Sequence, residues 1–313
     1  MKKLIFLVVI ACVVVAALFL AGSLFHESQR ADYGWRATVA EPAFTTEHPR
    51  VVVDAAHDNA STIGLTGRYW PFGCLLRADG YSVAEGRKPY TLERLQGVQV
   101  LVIANASGAP KPQIFGFNLP NSTTKKRSDP AFTAAEILAI RSWVEAGGSL
   151  LLIADHAPFG EAASALGSAF GVTMHRGFTE VPNELSDPLL FSATNGRLGD
   201  HPIIAGNRPQ NSVRRVMTYT GQSLDEPPGA TVLLRLPETT MEFVPVSDSL
   251  AAQPAGRAQG LAMEWGKGRL VVLGEAAMMT AQTHKGVPFG MNTPDNDNRQ
   301  FALNTMHWLS RKL

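Results

Sequence analysis

The stretch that decides the fold is TAAEILAIRSWVEAGGSLLLIA, residues 133–154. Thr133 and Glu136 have the spacing of a capping box, and the apolar residues that follow recur at helical intervals until a pair of glycines. Residues 149–154 are then almost continuously apolar, which is typical of a parallel strand that helices cover on both faces. The stretch therefore predicts a helix that leads directly into a buried strand.

The same alternation of strands and helices extends to both sides. Further strands are predicted at residues 51–53, 81–83 and 98–104, and a hairpin at 260–274 supplies the last core strand. Further helices are predicted from Pro71 to Gly80, around residues 162–170, and from Asp297 to Leu309 with Asp297 and Gln300 as a capping pair. This alternation predicts an α/β fold with a doubly wound, mostly parallel sheet. A less regular, β-rich insertion is predicted around residues 172–258.

The N-terminus carries two lysines followed by an uninterrupted apolar run, residues 4–22. At about 1.5 Å per residue a helix of this length could cross a membrane, and the lysines favour an orientation with the N-terminus inside. We therefore expect residues 1–22 to be a transmembrane signal-anchor, with everything after it on the extracytoplasmic side. A cleaved signal peptide ending near Ser23 and a lipoprotein attached through Cys12 are the alternatives, and each also exports the domain.

Composition limits what the rest of the chain can do. Residues 23–49 are predicted to be a polar stalk, and residues 50–313 to be one α/β domain. The 28 Lys and Arg residues balance the 27 Asp and Glu residues, so there is no basic stripe for nucleic acid, and Lys125-Lys126-Arg127 is interpreted as a solvated loop. Cys74 is the one cysteine beyond the apolar run, which excludes an intrachain disulfide and a cysteine zinc site there.

Polar side chains follow four of the predicted strands, at the edge where α/β proteins bind ligands. The candidate residues of this rim are His57, Asp58 and Asn59 after the first strand, Asn105 after the third, Asp155 and His156 after the fourth, and Glu275 after the last. Two long loops, residues 55–70 and 105–131, adjoin the same edge, and long loops in compact domains are often functional.

These residues support two chemical interpretations. His57, Asp58, Asp155 and His156 could hold a divalent metal ion, or together with Glu275 perform acid–base chemistry. Alternatively they fix turns and helix ends, as Asp and Asn commonly do. The sequence identifies no other cofactor, because it has no glycine-rich phosphate loop, and it has no serine nucleophile elbow.

Several motifs occur in an order that resembles a known superfamily. They are DGYSV at residues 79–83, FTAAE at 132–136, WVEAGG at 143–148, LLLIADH at 150–156, HPI at 201–203, TGQSL at 220–224 and GKGRLVVLG at 266–274. Their order resembles the class I glutamine amidotransferase-like superfamily, and in particular its membrane-associated, non-amidotransferase branch with gliding-motility and intraflagellar-transport relatives. The resemblance covers most of residues 50–312 and implies a flavodoxin-like or amidotransferase-like fold.

The sequence departs from this superfamily at the catalytic position. Amidotransferases of this fold carry a nucleophilic cysteine just after the fourth strand, where this chain has Ala154-Asp155-His156. Glutamine hydrolysis is therefore not expected, and no catalytic residue carries over. The first functional hypothesis is a membrane-anchored extracytoplasmic binding module for a small-molecule or protein ligand that the sequence does not identify. The second is a metal-assisted or acid–base hydrolase, and a structural or assembly role is the third.

Overall fold

The computed structural model describes residues 6, 8–17, 29–59, 61–110, 113–114, 117–118, 123–182, 184 and 188–313. Its strands are β1 (Arg30–Ala31), β2 (Arg50–Asp54), β3 (Ser82–Gly86), β4 (Val100–Ala104), β5 (Gln113–Ile114), β6 (Phe117–Asn118), β7 (Ser149–Ile153), β8 (Thr173–Met174), β9 (Phe178–Glu180), β10 (Leu189–Ser192), β11 (Arg215–Thr218), β12 (Leu224–Asp225), β13 (Thr231–Arg235), β14 (Met241–Val246), β15 (Ser249–Pro254), β16 (Ala258–Trp265), β17 (Gly268–Leu273), β18 (Ala281–His284) and β19 (Val287–Gly290). Its named α-helices are α1 (Trp70–Ala78), α2 (Ala134–Glu145), α3 (Phe159–Ser168), α4 (Pro202–Ala205) and α5 (Asn298–Leu309), and short 3₁₀ turns lie at Pro209–Asn211 and Ala277–Met279.

A nine-stranded sheet forms the centre of the fold, in the order β3-β2-β4-β7-β17-β16-β12-β8 with β13 also paired to β16. The first five strands of this order pair in parallel. The remaining four, β16, β12, β8 and β13, each pair antiparallel with their neighbours. The α/β fold with a central parallel sheet is thus confirmed, and so is the hairpin that supplies β17. Parallel strands direct all their carboxyl ends to one edge, which fixes where loops with polar residues meet.

Alternate residues of the parallel strands face opposite sides of the sheet, and helices cover both sides. Along β4, Val100 and Val102 pack in the same cluster as α1 and α5. Leu101 and Ile103 pack instead with α2 and α3. Strands buried on both faces explain why this segment is apolar at every position.

The helix that adjoins β7 begins as its sequence predicts. Glu136 N donates to Thr133 Oγ1 at 3.3 Å, and Thr133 N donates to Glu136 Oε2 at 3.1 Å, so the capping box is present. The second predicted capping pair is wrong. Asp297 precedes α5 without a side-chain cap, because its Oδ2 accepts from the backbone N–H groups of Arg214 and Arg215 at 2.8 and 3.0 Å. The Asp297 carboxylate thus binds backbone that is distant in sequence instead of the first turn of its own helix.

The predicted transmembrane signal-anchor is also wrong. Within the described part of the chain, no helix is long and apolar enough to cross a membrane. This finding overturns the prediction of a membrane-anchored domain held on the extracytoplasmic side through residues 4–22.

The described part of the predicted stalk, residues 29–49, lies against the α/β domain. Arg30 and Ala31 form β1, which pairs antiparallel with β18 in a small sheet that also contains β19. Ala31 and Phe44 are buried, and Phe44 packs edge-to-face on Tyr81 with ring centroids 4.7 Å apart. The small sheet stands beside the carboxyl edge of the parallel strands and adds a wall to the site described next.

Candidate functional site

Loops from four parallel strands meet around one cavity of about 680 Å³, here called the rim cavity. The chain leaves β2 through α1 on one face of the sheet and leaves β4 through α2 on the other, so a crevice opens between these strands. The lining residues are Gln29, Arg30, Asp58, Asn59, Thr66, Arg68, Pro110, Arg127, Asp155, His156, Ala157, Pro158, Phe159, Tyr219, Glu275 and Phe289. Both long loops predicted from the sequence contribute to this lining.

The structure divides the seven predicted rim residues into two groups. Five of them line the rim cavity: Asp58, Asn59, Asp155, His156 and Glu275. His57 and Asn105 are buried and absent from that lining. The members of the predicted set therefore lie near one edge of the sheet but differ in what their side chains contact.

His57 lies between two buried carboxylates. Its Nδ1 is 2.9 Å from Asp54 Oδ2, and its Nε2 is 2.9 Å from Glu136 Oε1. Tyr90 joins the same cluster, since its hydroxyl donates to Asp54 Oδ1 at 2.9 Å and its backbone N–H to Glu136 Oε1 at 3.1 Å. Phe132 packs on the imidazole at 4.4 Å. We call Asp54, His57, Tyr90 and Glu136 the His57 cluster.

The charge of His57 follows from these contacts. Burial alone would lower the pKa of His57, but the hydrogen bonds and charges of Asp54 and Glu136 outweigh burial and raise it. Burial likewise opposes ionisation of Glu136, yet hydrogen bonds from Thr133, His57 and Tyr90 lower its pKa. Since an ionised carboxylate only accepts, both ring nitrogens of His57 carry protons. His57 therefore clamps the end of β2 to the start of α2.

The two asparagines position backbone. Asn59 Nδ2 donates to Asp54 Oδ2 at 3.0 Å and to Ala104 O at 3.1 Å, which ties the loop after β2 to the end of β4. Asn105 has a φ of 52°, in the left-handed region that Asn tolerates better than most residues. Its Oδ1 accepts from Asp155 N at 2.9 Å. Asn105 thus supports the loop after β7 rather than facing a ligand.

Asp155 and His156 present the most reactive groups of the rim cavity. His156 Nδ1 is 2.8 Å from Ala157 O, and because a carbonyl only accepts, this nitrogen carries a proton. Nε2 makes no hydrogen bond within the described residues and lies in a ring that stacks on Phe178 at 4.7 Å. Asp155 Oδ1 accepts from His156 N at 2.8 Å. Burial raises the pKa of Asp155, although His156 and Arg68 partly oppose that rise.

The loop after β7 is held in place by Gln222, from the TGQSL motif. Gln222 Nε2 donates to Ala154 O at 2.8 Å and its Oε1 accepts from Arg176 N at 2.8 Å. Gly160 packs so closely on this amide that a Cβ there would lie 2.3 Å from Gln222 Nε2. A larger residue at position 160 would therefore displace the Gln222 amide from its hydrogen bonds with Ala154 O and Arg176 N.

Glu275 caps a turn. Its two carboxylate oxygens accept from the backbone N–H groups of Ala277 and Met278 at 2.7 and 2.8 Å. These residues begin the 3₁₀ turn that follows β17; its N-cap residue is Ala276, and the Glu275 side chain binds its first N–H groups from one position earlier. Although Glu275 lines the rim cavity, it is fully buried and its charge is already used locally.

The predicted metal quartet does not form a shared site. His57 has no free nitrogen because both of its ring nitrogens contact carboxylates. Over the residues that the structure describes, no group of three or more His, Cys, Asp or Glu side chains is arranged to hold a metal ion. The other three members of the quartet line the rim cavity: Asp155 and His156 are partly buried, and Asp58 is exposed.

Sequence reasoning missed the three arginines of the rim cavity: Arg30, in the predicted stalk, and two from the long loops, Arg68 and Arg127. Arg68 lies in the long loop after β2, and Arg127 in the long loop after β4. The interpretation of Lys125-Lys126-Arg127 as a solvated loop holds for the two exposed lysines but fails for Arg127, whose guanidinium lies 4.8 Å above the ring of Phe159. The length of the loops was the available signal, since it marked the segments from which Arg68 and Arg127 come.

No family model matches this chain, and no curated sequence does either. Solved structures do resemble it. The mmIFT52 N-terminal domain aligns with a TM-score of 0.56 and 15% identity, over 83% of this chain and 97% of that one. A ThuA-like protein from Bacteroides uniformis aligns at 0.46 and 12%, over 88% and 94%. The cytoplasmic protein STM3548 from Salmonella typhimurium aligns at 0.47 and 14%, over 83% and 98%. At such identities the likeness to the first establishes a shared fold alone.

Proposed function

We propose that this chain is a binding domain whose small-molecule ligand occupies the rim cavity. The observation that carries the proposal is the convergence of four strand-end loops on one cavity of about 680 Å³, within the usual range of roughly 300–1,000 Å³ for small-molecule sites. The position also fits, because open α/β sheets bind ligands outside the carboxyl ends of two neighbouring strands whose following helices lie on opposite faces of the sheet.

Groups without protein partners are available to such a ligand. His156 Nε2 makes no hydrogen bond within the described residues, and the side chain of Asp58 makes none there either. The backbone beneath them is fixed by Asn105 and Gln222. A preorganised wall with unpaired polar atoms favours recognition, because little conformational entropy is lost on binding.

We further propose that the fold is flavodoxin-like and that the chain is a non-amidotransferase relative of the class I glutamine amidotransferase-like superfamily. The order of the five parallel strands, β3-β2-β4-β7-β17, supports the first part because it matches the flavodoxin-like order. The fold shared with the mmIFT52 N-terminal domain is consistent with the second part. Ala154, Asp155 and His156 follow β7, and Cys74 lies in α1, so no thiol occupies the position of the amidotransferase nucleophile.

An acid–base hydrolase is the second candidate, and the pair Asp155–His156 favours it. A histidine whose Nδ1 proton is held by a carbonyl presents Nε2 as a base, and a carboxyl group with a raised pKa is a proton donor. Both border the same cavity. The metal-assisted form of this hypothesis has no group of three ligands among the described residues, and metal analysis of the purified protein tests it directly.

Two-dimensional NMR with a panel of small polar metabolites tests the binding proposal. We expect at least one compound to shift the backbone amide signals of Asn105, Asp155 and His156 in a saturable manner, and His156→Ala to weaken that effect by at least about tenfold. Shifts confined to other surfaces would contradict the proposal. Turnover of a bound compound that His156→Ala abolishes would favour the hydrolase instead.

A further inference from the structure

Arg68 and Arg127 are two of the three arginines that line the rim cavity. Arg68 Nη1 donates to Gln29 Oε1 at 3.2 Å, which is a neutral acceptor. Arg127 lies over Phe159, and its buried Nε has no hydrogen-bond partner among the described residues. Among the described residues, neither guanidinium forms an ion pair with an acidic side chain. By contrast, Arg197 pairs with Glu184 and Arg208 pairs with Glu41.

Burial disfavours the charge of both guanidinium groups. Burial lowers the pKa of Arg68, and the charge of Asp155 offsets that change only in part. Burial lowers the pKa of Arg127 as well, and the charge of Arg68 lowers it further. Like charges that are partly removed from water and lack counter-ions raise the free energy of the unliganded protein. An anion between them would relieve both effects.

The acidic residues of the rim cavity do not supply that anion. Glu275 accepts from two backbone N–H groups, so its charge is already used to cap the turn after β17. Burial raises the pKa of Asp155 and weakens its ability to balance a cation. Asp58 is exposed at the mouth of the cavity, where solvent screens its charge.

We infer that Arg68 and Arg127 bind an oxyanion of the ligand, a phosphate or a carboxylate group. Guanidinium groups match both oxyanions through paired N–H donors, and such charge-assisted hydrogen bonds are about twice as strong as neutral ones. The cavity is large enough to hold an oxyanion together with a further polar portion of the molecule, which Asp155 and His156 can contact. The inference rests on the proposed function, because it names the chemical class of the ligand in the same cavity.

Titration with two probes, inorganic phosphate and malonate, tests this assignment and separates the two oxyanions. Binding is followed by isothermal titration calorimetry and by the NMR signal of Arg127 Nε–H at constant ionic strength. We expect saturable binding of at least one probe to the unmodified protein. Arg127→Gln and Arg68→Gln should each weaken it by at least about tenfold, the loss of one charge-assisted hydrogen-bond set. Arg127→Lys should give an intermediate loss because it keeps the charge without the paired donors.

Lys126→Gln is the matched control, since it removes the same charge from an exposed neighbour of Arg127. It should leave the affinity within about twofold. Melting temperatures give a second readout: the bound probe should raise that of the unmodified protein but not that of Arg127→Gln. Absence of binding by both probes, an equal loss in Lys126→Gln, or full affinity in Arg127→Gln would each overturn the inference. If an uncharged metabolite from the NMR panel still binds the rim cavity, the proposed function survives that failure.

Discussion

His57 and His156 both follow parallel strands of the same sheet, yet their surroundings are opposite. His57 is 7% exposed and contacts a carboxylate through each ring nitrogen. His156 contacts a backbone carbonyl through Nδ1, stacks on Phe178 and turns toward the rim cavity. One imidazole joins secondary-structure elements, while Nε2 of the other makes no hydrogen bond among the described residues.

The comparison shows that a histidine at a strand end is defined by the partners of its two ring nitrogens. Glu136 determines the role of His57, because its Oε2 completes the capping box of α2 while its Oε1 binds Nε2 of the imidazole. A charged hydrogen bond on each nitrogen uses the entire donor capacity of the ring. The following predictions test whether the two sites differ as sharply in solution.

The largest difference is expected in stability. His57→Ala leaves Asp54 and Glu136 as buried carboxylates without their shared counter-ion, and removing one partner of a buried pair typically costs about 3–5 kcal/mol. Urea unfolding monitored by circular dichroism measures the free energy of unfolding. His156→Ala, the same substitution at the other strand end, is the control and should cost less than about 2 kcal/mol. Equal losses in the two variants would remove the distinction.

Affinity for a ligand should depend on the residues whose substitution affects stability least, Asp155 and His156. Asp155→Asn keeps the acceptor for His156 N but removes the charge, and His156→Ala removes the free Nε2. We expect each variant to remain folded, with a change in unfolding free energy below about 2 kcal/mol, and to lose at least about tenfold in affinity for a ligand of the rim cavity. A variant that fails to fold under conditions where Lys126→Gln folds normally would assign its residue a structural role.

The dependence of stability on pH should also separate the two histidines. The pKa of His57 is raised in the folded protein, so its stabilisation is complete below the unfolded value of about 6.5 and is lost as pH rises through the folded value. Glu136 acts in the other direction: its pKa is lowered, so its contribution is present above about 4.5 and is lost as pH falls. Urea midpoints across this range should decline on the alkaline side in the unmodified protein and in His156→Ala, but decline less in His57→Gln. An identical alkaline decline in His57→Gln would show that other groups control it.

Cys74 should have the smallest effect of all. It is half-buried in α1 and does not line the rim cavity. Cys74→Ser is expected to change the free energy of unfolding by no more than about 1 kcal/mol and to leave binding unaltered. Rapid, selective modification by a thiol reagent at neutral pH would instead reveal an activated thiolate and reopen the question of thiol chemistry.

The core of the fold was predictable because local and tertiary preferences agree there. Thr133 and Glu136 form the capping box that their spacing predicts. The apolar run of β7 likewise forms the buried strand that its composition predicts. Where a distant partner competes, local pattern fails, as it does at Asp297, whose carboxylate binds the backbone of Arg214 and Arg215. The prediction of a membrane span at residues 4–22 rested on hydropathy alone, and no helix of the described residues is long and apolar enough to cross a membrane.

The edge of the sheet that carries the candidate site was predictable from strand ends, but the roles of its residues were not. His57 lies 79 positions from Glu136, and nothing local in the sequence links them. Arg127 and Lys126 are adjacent basic residues, yet Lys126 is exposed and Arg127 is partly buried. This difference depends on tertiary contacts such as that of Arg127 with Phe159. Side-chain roles in long loops depend on such tertiary contacts, so they emerge only from the folded structure.

The pairing of β1 with β18 has a practical consequence for anyone producing this domain. A chain shortened to begin at residue 50 would keep all nine strands of the central sheet, yet it would leave Gln282 and Thr283 on a bare strand edge. Unpaired backbone N–H and C=O groups along such an edge can template pairing with another molecule. The shortened chain is therefore expected to self-associate, and it would also lack Arg30 from the wall of the rim cavity. Expression should begin no later than residue 29.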